Sequence, residues 1–177
     1  GMAAKIFLRA GHIKKILVPG AGYGRNAKFF CAAGFAVTGV EISGEAFLLS
    51  RTYNPEAGFH LGSFLDPFPG EDGGYDAIYC YNVLHLFRQN ERELFVRKSF
   101  RALREGGITF FVVFSEKEKS FGKGRQVEEN SFESKPGRPV HYFTEQDLRR
   151  HFCMFDPLAA GIVEDPENHG DEGPHVH

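Results

Sequence analysis

Two rhythms of apolar and polar positions alternate along this chain. Residues 13–18, Ile-Lys-Lys-Ile-Leu-Val, form a short apolar run that stops at Pro19-Gly20, the pattern of a buried strand. Residues 25–33 repeat at helical spacing and close at Gly34. Residues 35–41 bring Val37, Thr38 and Val40 together in a second strand, and Ser43 then caps a helix over residues 43–52. A weak strand is predicted at 59–62 and a firmer one at 76–81, after the turn Glu71-Asp72-Gly73-Gly74. Asn90 followed by Glu93 predicts a capped helix reaching Arg104 and ending at Gly106-Gly107. Residues 108–114 read as a fully buried strand. Thr144 with Asp147 opens a helix to Phe152, and residues 158–163 predict a last strand.

Strands that alternate with helices imply right-handed crossovers and a parallel sheet covered on both faces. The expected fold is therefore α/β, a doubly wound and mostly parallel sheet in a single domain spanning 1–177. Two stretches fall outside the rhythm. Residues 116–139 are polar, with Gly122, Gly124, Pro136, Gly137 and Pro139, and are too long for a structureless connection unless they form a lid. Residues 164–177 are a polar tail with no apolar run to supply a further strand, so the sheet is expected to lack its last one.

Composition narrows the function classes. The 177 residues are 42% hydrophobic and 25% charged with a net charge of −2, which gives no electrostatic case for nucleic acid or a membrane surface. No run approaches the ~20 apolar residues of a membrane span. Cys31, Cys80 and Cys153 are odd in number and far apart, which points to reduced thiols and the cytoplasm. Nineteen Phe and no Trp read as a Phe-packed core. His169, His175 and His177 sit in the tail without Cys or spaced carboxylates, so no metal site is expected.

Candidate chemistry concentrates in Val18-Pro19-Gly20-Ala21-Gly22-Tyr23-Gly24-Arg25-Asn26, where a strand meets a glycine-rich turn and a helix opens behind it. Glycines there allow a sharp turn and let a ligand approach the main chain. Glu41 stands seventeen residues after Gly24, at the end of the second strand, as a solvent-facing carboxylate able to accept from both hydroxyls of a ribose. Together they predict an adenosine-bearing cofactor. A dinucleotide fingerprint asks for a third small residue where Arg25 stands, and no Tyr-x-x-x-Lys pair is present for hydride chemistry. A nicotinamide-dependent oxidoreductase and a non-catalytic nucleoside-cofactor-binding module remain the alternatives.

This glycine motif with its acidic partner resembles motif I of the class I S-adenosylmethionine-dependent methyltransferases. Tyr75-Asp76-Ala77-Ile78-Tyr79-Cys80-Tyr81-Asn82 looks like their fourth strand, and Leu103-Arg104-Glu105-Gly106-Gly107 like their entry to strand five. The chain looks closest to small bacterial tellurite-resistance-type and related small-molecule methyltransferases. The resemblance implies S-adenosylmethionine as cofactor. Gly20, Ala21, Gly22 and Gly24 would face its methionine part, Arg25 and Asn26 its carboxylate, Glu41 the ribose, and Ile42 the adenine. It would put Ser63 and Phe64 at the adenine edge and Asn82 near the sulfur. His85 is the one candidate general base. Phe121, Arg125 and Phe132 interleave aromatic and basic groups in residues 116–139 and would cover a small-molecule acceptor. A monomer or a homodimer is expected.

Overall fold

The computed structural model describes residues 2–165 and 175–176. They form two compact units, residues 2–81 with 97–111 and residues 82–96 with 112–165 and 175–176.

The first unit holds a parallel five-stranded sheet in the order β3-β2-β1-β4-β5. Its strands are β1 Lys15–Pro19, β2 Ala36–Glu41, β3 Gly58–Leu61, β4 Tyr75–Tyr81 and β5 Leu103–Val112. The ladder sets Leu17 opposite Thr38 on one side and opposite Ile78 on the other. Central strands covered on both faces lose the alternation of polar and apolar residues, which is why β1 and β4 read as continuous apolar runs. Helices α2 Arg25–Ala32 and α3 Gly44–Tyr53 follow β1 and β2, and Ser43 caps α3 through the Ala46 N–H as its position predicts. A further helix, α1 Met2–Ala10, was not visible in the pattern of the sequence; it buries Ala3, Ala4 and Phe7, and Phe7 meets Phe30 and Phe35 ring to ring. At the amino edge of the sheet the buried Asp76 accepts from the backbone N–H of Lys14 and Lys15 at 2.6 and 2.9 Å and pairs with Arg104 Nε at 2.8 Å. One carboxylate thus fixes how β1, β4 and the start of β5 enter the sheet. Among the described residues β5 is the sheet's edge.

Three expectations are corrected. The helix α4 Gln89–Ala102 starts before Asn90, and the Arg88 N–H donates to Glu91 Oε2 at 3.0 Å, so the acceptor is Glu91 and not Glu93. Its end precedes the Gly106-Gly107 pair, because β5 already begins at Leu103 and Gly106 turns the strand at φ +73°. Residues 158–163 form no strand; Leu158, Ile162 and Val163 are exposed. The chain instead pairs β9 Glu164–Asp165 with β10 His175–Val176, and the rest of the polar tail, with His169 and His177, lies outside the described residues.

Much of the stretch set apart at 116–139 is structured. In the second unit β6 Arg125–Glu128, β7 Ser131–Lys135 and β8 Arg138–His141 form an antiparallel sheet. Asn130 (φ +53°) and Gly137 (φ +75°) make its two turns, the left-handed conformations tight hairpins need. Helix α5 Glu145–His151 follows, with the Thr144–Asp147 capping box formed in both directions.

Candidate functional site

The glycine turn is built by three left-handed residues, Gly20 at φ +62°, Gly22 at +55° and Gly24 at +92°. It is pinned to the neighbouring strand, since the N–H groups of Gly20 and Ala21 both donate to Val40 O, at 2.8 and 3.1 Å. The glycines differ in what surrounds them. A Cβ on Gly24 would lie 3.1 Å from the Phe59 ring and 3.3 Å from Ser50, so this glycine exists for packing and does not face a ligand. A Cβ on Gly22 would meet nothing within 4 Å. The open side of the turn is therefore at Gly22. Ala21 is turned inward, where its methyl would crowd any side chain on Gly39.

Glu41 is not the solvent-facing strand end expected. It is 8% exposed, and its carboxylate accepts from the Gly22 N–H at 2.7 Å and from the Ser43 N–H at 2.8 Å. Each oxygen takes one bond from the backbone and keeps a second lone pair. The neighbouring Ile42 is 72% exposed, a large apolar side chain standing in solvent beside a buried carboxylate. The first N–H groups of α2 receive no side-chain cap, because Gly24 is the N-cap, so the positive end of the helix dipole is left to another partner. Arg25 is exposed and Asn26 half-buried on that first turn, and Asn26 is not a cap. Backbone N–H groups, an acceptor carboxylate, an apolar side chain and open space over a glycine suit a polar ligand carrying a ribose and an anionic end.

Two residues named for the adenine edge behave differently. Ser63 Oγ accepts from the Leu65 N–H at 3.1 Å and its O–H remains a donor. The Phe64 ring is buried and stacks on Phe68 at 4.8 Å.

In the second unit Asn82 follows the last residue of β4 with a left-handed backbone (φ +58°) that is uncommon outside glycine. Its N–H donates to Val112 O at 3.0 Å, and its buried Oδ1 has no hydrogen-bond partner among the described residues. His85 lies in a 3₁₀ turn, Leu84–Leu86, buried against the Phe114 ring at 4.1 Å. The Phe114 N–H donates to its Nδ1 at 3.3 Å, which places the imidazole proton on Nε2. In this arrangement the ring nitrogen that could take up a proton is the one engaged by the Phe114 N–H.

The residues expected to cover an acceptor are tied to one another. Phe121, itself exposed, packs edge-on against Phe132 at 5.3 Å and Tyr142 at 5.5 Å. Arg125 donates to Glu133 at 2.7 Å, and this bond holds the Glu133 carboxyl below its usual range. A buried group around Arg92, His141 and His151 had no signal in the sequence, because its members are scattered over three strands and two helices. Among the described residues no three His, Cys, Asp or Glu side chains are grouped to hold a metal.

Residues 17–111 match the family described as a methyltransferase domain. An uncharacterised methyltransferase of Bacillus licheniformis is 32% identical over 135 residues, which cover 75% of this chain and 62% of that protein. The chain thus spans under two thirds of that relative's length. Among solved structures, a SAM-dependent methyltransferase of Methanosarcina mazei superposes with TM-score 0.81 at 21% identity, over 96% of this chain and 93% of the other. The 1,6-didemethyltoxoflavin-N1-methyltransferase of Burkholderia thailandensis, solved with 1,6-didemethyltoxoflavin and S-adenosylhomocysteine, superposes with TM-score 0.74 at 22% identity, over 99% of this chain and 73% of the other.

Proposed function

The chain belongs to the methyltransferase domain family, and from that premise we propose that it transfers a methyl group from S-adenosylmethionine to a small-molecule acceptor. The observation that carries this reading is the junction of Glu41 with Gly22. A buried carboxylate is held in place by two backbone N–H groups, with acceptor capacity left over and open space above the adjacent glycine. Glu41 would take the ribose hydroxyls, the uncapped start of α2 the methionine carboxylate, and Ile42 the adenine face. Gly20 and Gly22 keep the turn free of side chains where the ligand runs past. When bound, S-adenosylmethionine supplies a methyl group on a sulfonium, open to in-line displacement by a nucleophile. What the protein contributes is orientation and the exclusion of water. His85 keeps its proton on Nε2, so its part is to hold the Phe114 backbone and not to remove a proton from the acceptor.

Exposed Arg25, in place of the third small residue of a dinucleotide fingerprint, argues against a nicotinamide cofactor. The motif sequence supports placement among the small bacterial small-molecule methyltransferases of tellurite-resistance type. Cys31, Cys80 and Cys153, in no disulfide among the described residues, support a reducing compartment such as the cytoplasm. Titration calorimetry with S-adenosylhomocysteine, NAD and NADP tests the cofactor, and release of S-adenosylhomocysteine across a panel of amines, thiols and hydroxyl compounds tests the reaction. Binding with no turnover on any acceptor supports the binding module instead, and tight NAD binding overturns the site.

A further inference from the structure

Arg92 is 1% exposed, on the half of α4 that belongs to the second unit. A guanidinium cannot shed its charge, so its burial requires partners on all sides. Nη1 donates to Phe87 O at 2.7 Å, fastening the end of the loop that follows β4, and to Glu128 Oε2 of β6 at 3.2 Å. Nε donates to His151 Nε2 of α5 at 3.4 Å. His151 has only one way to accept that bond. Its Nδ1 lies 2.8 Å from Asp147 O, a carbonyl that can only accept, so the proton is on Nδ1 and Nε2 offers its lone pair.

His141 of β8 is buried beside them, its ring 6.0 Å from that of His151. Its Nδ1 is 2.9 Å from Ser131 Oγ of β7, and its buried Nε2 has no hydrogen-bond partner among the described residues. The nearest carboxylate oxygen, Asp147 Oδ2, is 3.8 Å away and already accepts from Thr144 and Asn130, while Oδ1 takes Arg150 at 2.6 Å. Glu128 is likewise engaged, by Arg92, the Gln89 N–H and Ser131.

We propose that Arg92 with His141 and His151 forms an acid-released latch, which fastens the loop after β4 to the antiparallel sheet and α5. Every charge facing the two histidines is accounted for. Arg92 and Arg150 repel a second positive charge, and Asp147 and Glu128 are committed elsewhere. A proton on His151 Nε2 would face the Arg92 Nε–H head on. A proton on His141 would enter a buried site without a free acceptor. Burial and the arginines push both imidazoles below their usual range, His141 to about 3.

The direction of the effect follows from which state binds protons. The closed latch holds both rings neutral, whereas an opened latch exposes them near their ordinary pKa of about 6.5. Opening is therefore fully suppressed above that pKa and grows as the pH falls through it. Between pH 7 and pH 5 the opening constant should rise by roughly 25-fold for His141, and His151 should add to the rise in the same direction.

Hydrogen exchange of the intact chain, read by mass spectrometry and corrected for intrinsic rates, tests this. Peptides covering 82–91 and 125–151 should open one to three orders of magnitude more at pH 5 than at pH 7, while peptides covering 15–41 should not. His141→Gln and His151→Gln should each remove about one proton from that dependence. Arg92→Lys should release 82–91 already at pH 7. Parallel behaviour of all peptides, or an unchanged slope in both histidine variants, overturns the latch. Should the variants not fold, proton NMR of the unaltered protein still decides. The C2-proton signal of His141 must stay at its neutral position at pH 5 and that of His151 must titrate below the ordinary range, and a titration of either near 6.5 rules the latch out.

Discussion

Glu41 joins two tasks that mutation separates. Its oxygens brace the glycine turn and the start of α3 through Gly22 and Ser43, and the proposed ribose contacts use the lone pairs left over. Charge-assisted bonds of this kind contribute about 1.5–3 kcal/mol each. Glu41→Ala should weaken S-adenosylhomocysteine binding at least tenfold, since about 1.4 kcal/mol is a factor of ten. It should also lower the stability of the free protein by about 1–3 kcal/mol, because two N–H groups lose their acceptor. Glu41→Gln is no mild control, as its amide NH₂ must face one of the same two donors. The glycines supply the cleaner contrast. Alanine at either Gly22 or Gly24 must adopt a left-handed backbone, at about 1–2 kcal/mol. Only at Gly24 does the methyl also press on Phe59 and Ser50, and only at Gly22 does it enter the open cradle. Urea midpoints should therefore fall further for Gly24→Ala, while calorimetry should show the greater loss of binding for Gly22→Ala. The reverse order would move the ligand away from Gly22.

At the scale of elements, what the sequence made legible follows from how local each cause is. Strands β1, β2 and β4 announced themselves because burial on both faces leaves continuous apolar runs. The cap at Ser43 and the capping box at Thr144 are local chemistry and were legible because they are local. The antiparallel sheet in residues 116–139 was not, because its strands are short and carry charges such as Arg125 and Glu133 that satisfy one another across the ladder. The Lys135-Pro136-Gly137-Arg138 turn was its one available sign, and punctuation of that sort marks hairpins and loops alike. Glu41 was legible as a candidate for the site, but its burial was not, since the two N–H groups that hold it come from separate loops. The cap of α5 gives the prediction at this scale. Thr144→Ala removes the side chain that accepts from the Asp147 N–H and donates to its carboxylate. It should cost about 1 kcal/mol of stability. Because Asp147 is also the residue that holds His151 through its carbonyl, exchange in 145–151 should rise more than in β6 and β7. A uniform rise across the second unit would mean that the cap does not act locally.

For the whole molecule, ligand binding and stability are one equilibrium seen from two sides. A ligand that binds only the native chain stabilises it by RT ln(1 + [L]/Kd), about 2.7 kcal/mol at a hundredfold excess over Kd. In a chain of this length each kcal/mol raises the melting midpoint by about 2–4 °C, so saturating S-adenosylhomocysteine should shift it by about 5–10 °C. NAD and NADP at the same concentration should leave it in place, since Arg25 occupies the position their fingerprint reserves for a small residue. Gly22→Val supplies the internal control. Its branched side chain fills the space that is empty above the turn, so the variant melts lower than the unaltered protein and no longer responds to the ligand. A drop in midpoint alone would reflect strain at φ +55°, and only the lost response reports the cradle. Scanning calorimetry of the two proteins with and without each ligand separates these effects. An undiminished shift in Gly22→Val, or a shift of the unaltered protein by NAD, would remove the glycine turn as the cofactor's seat.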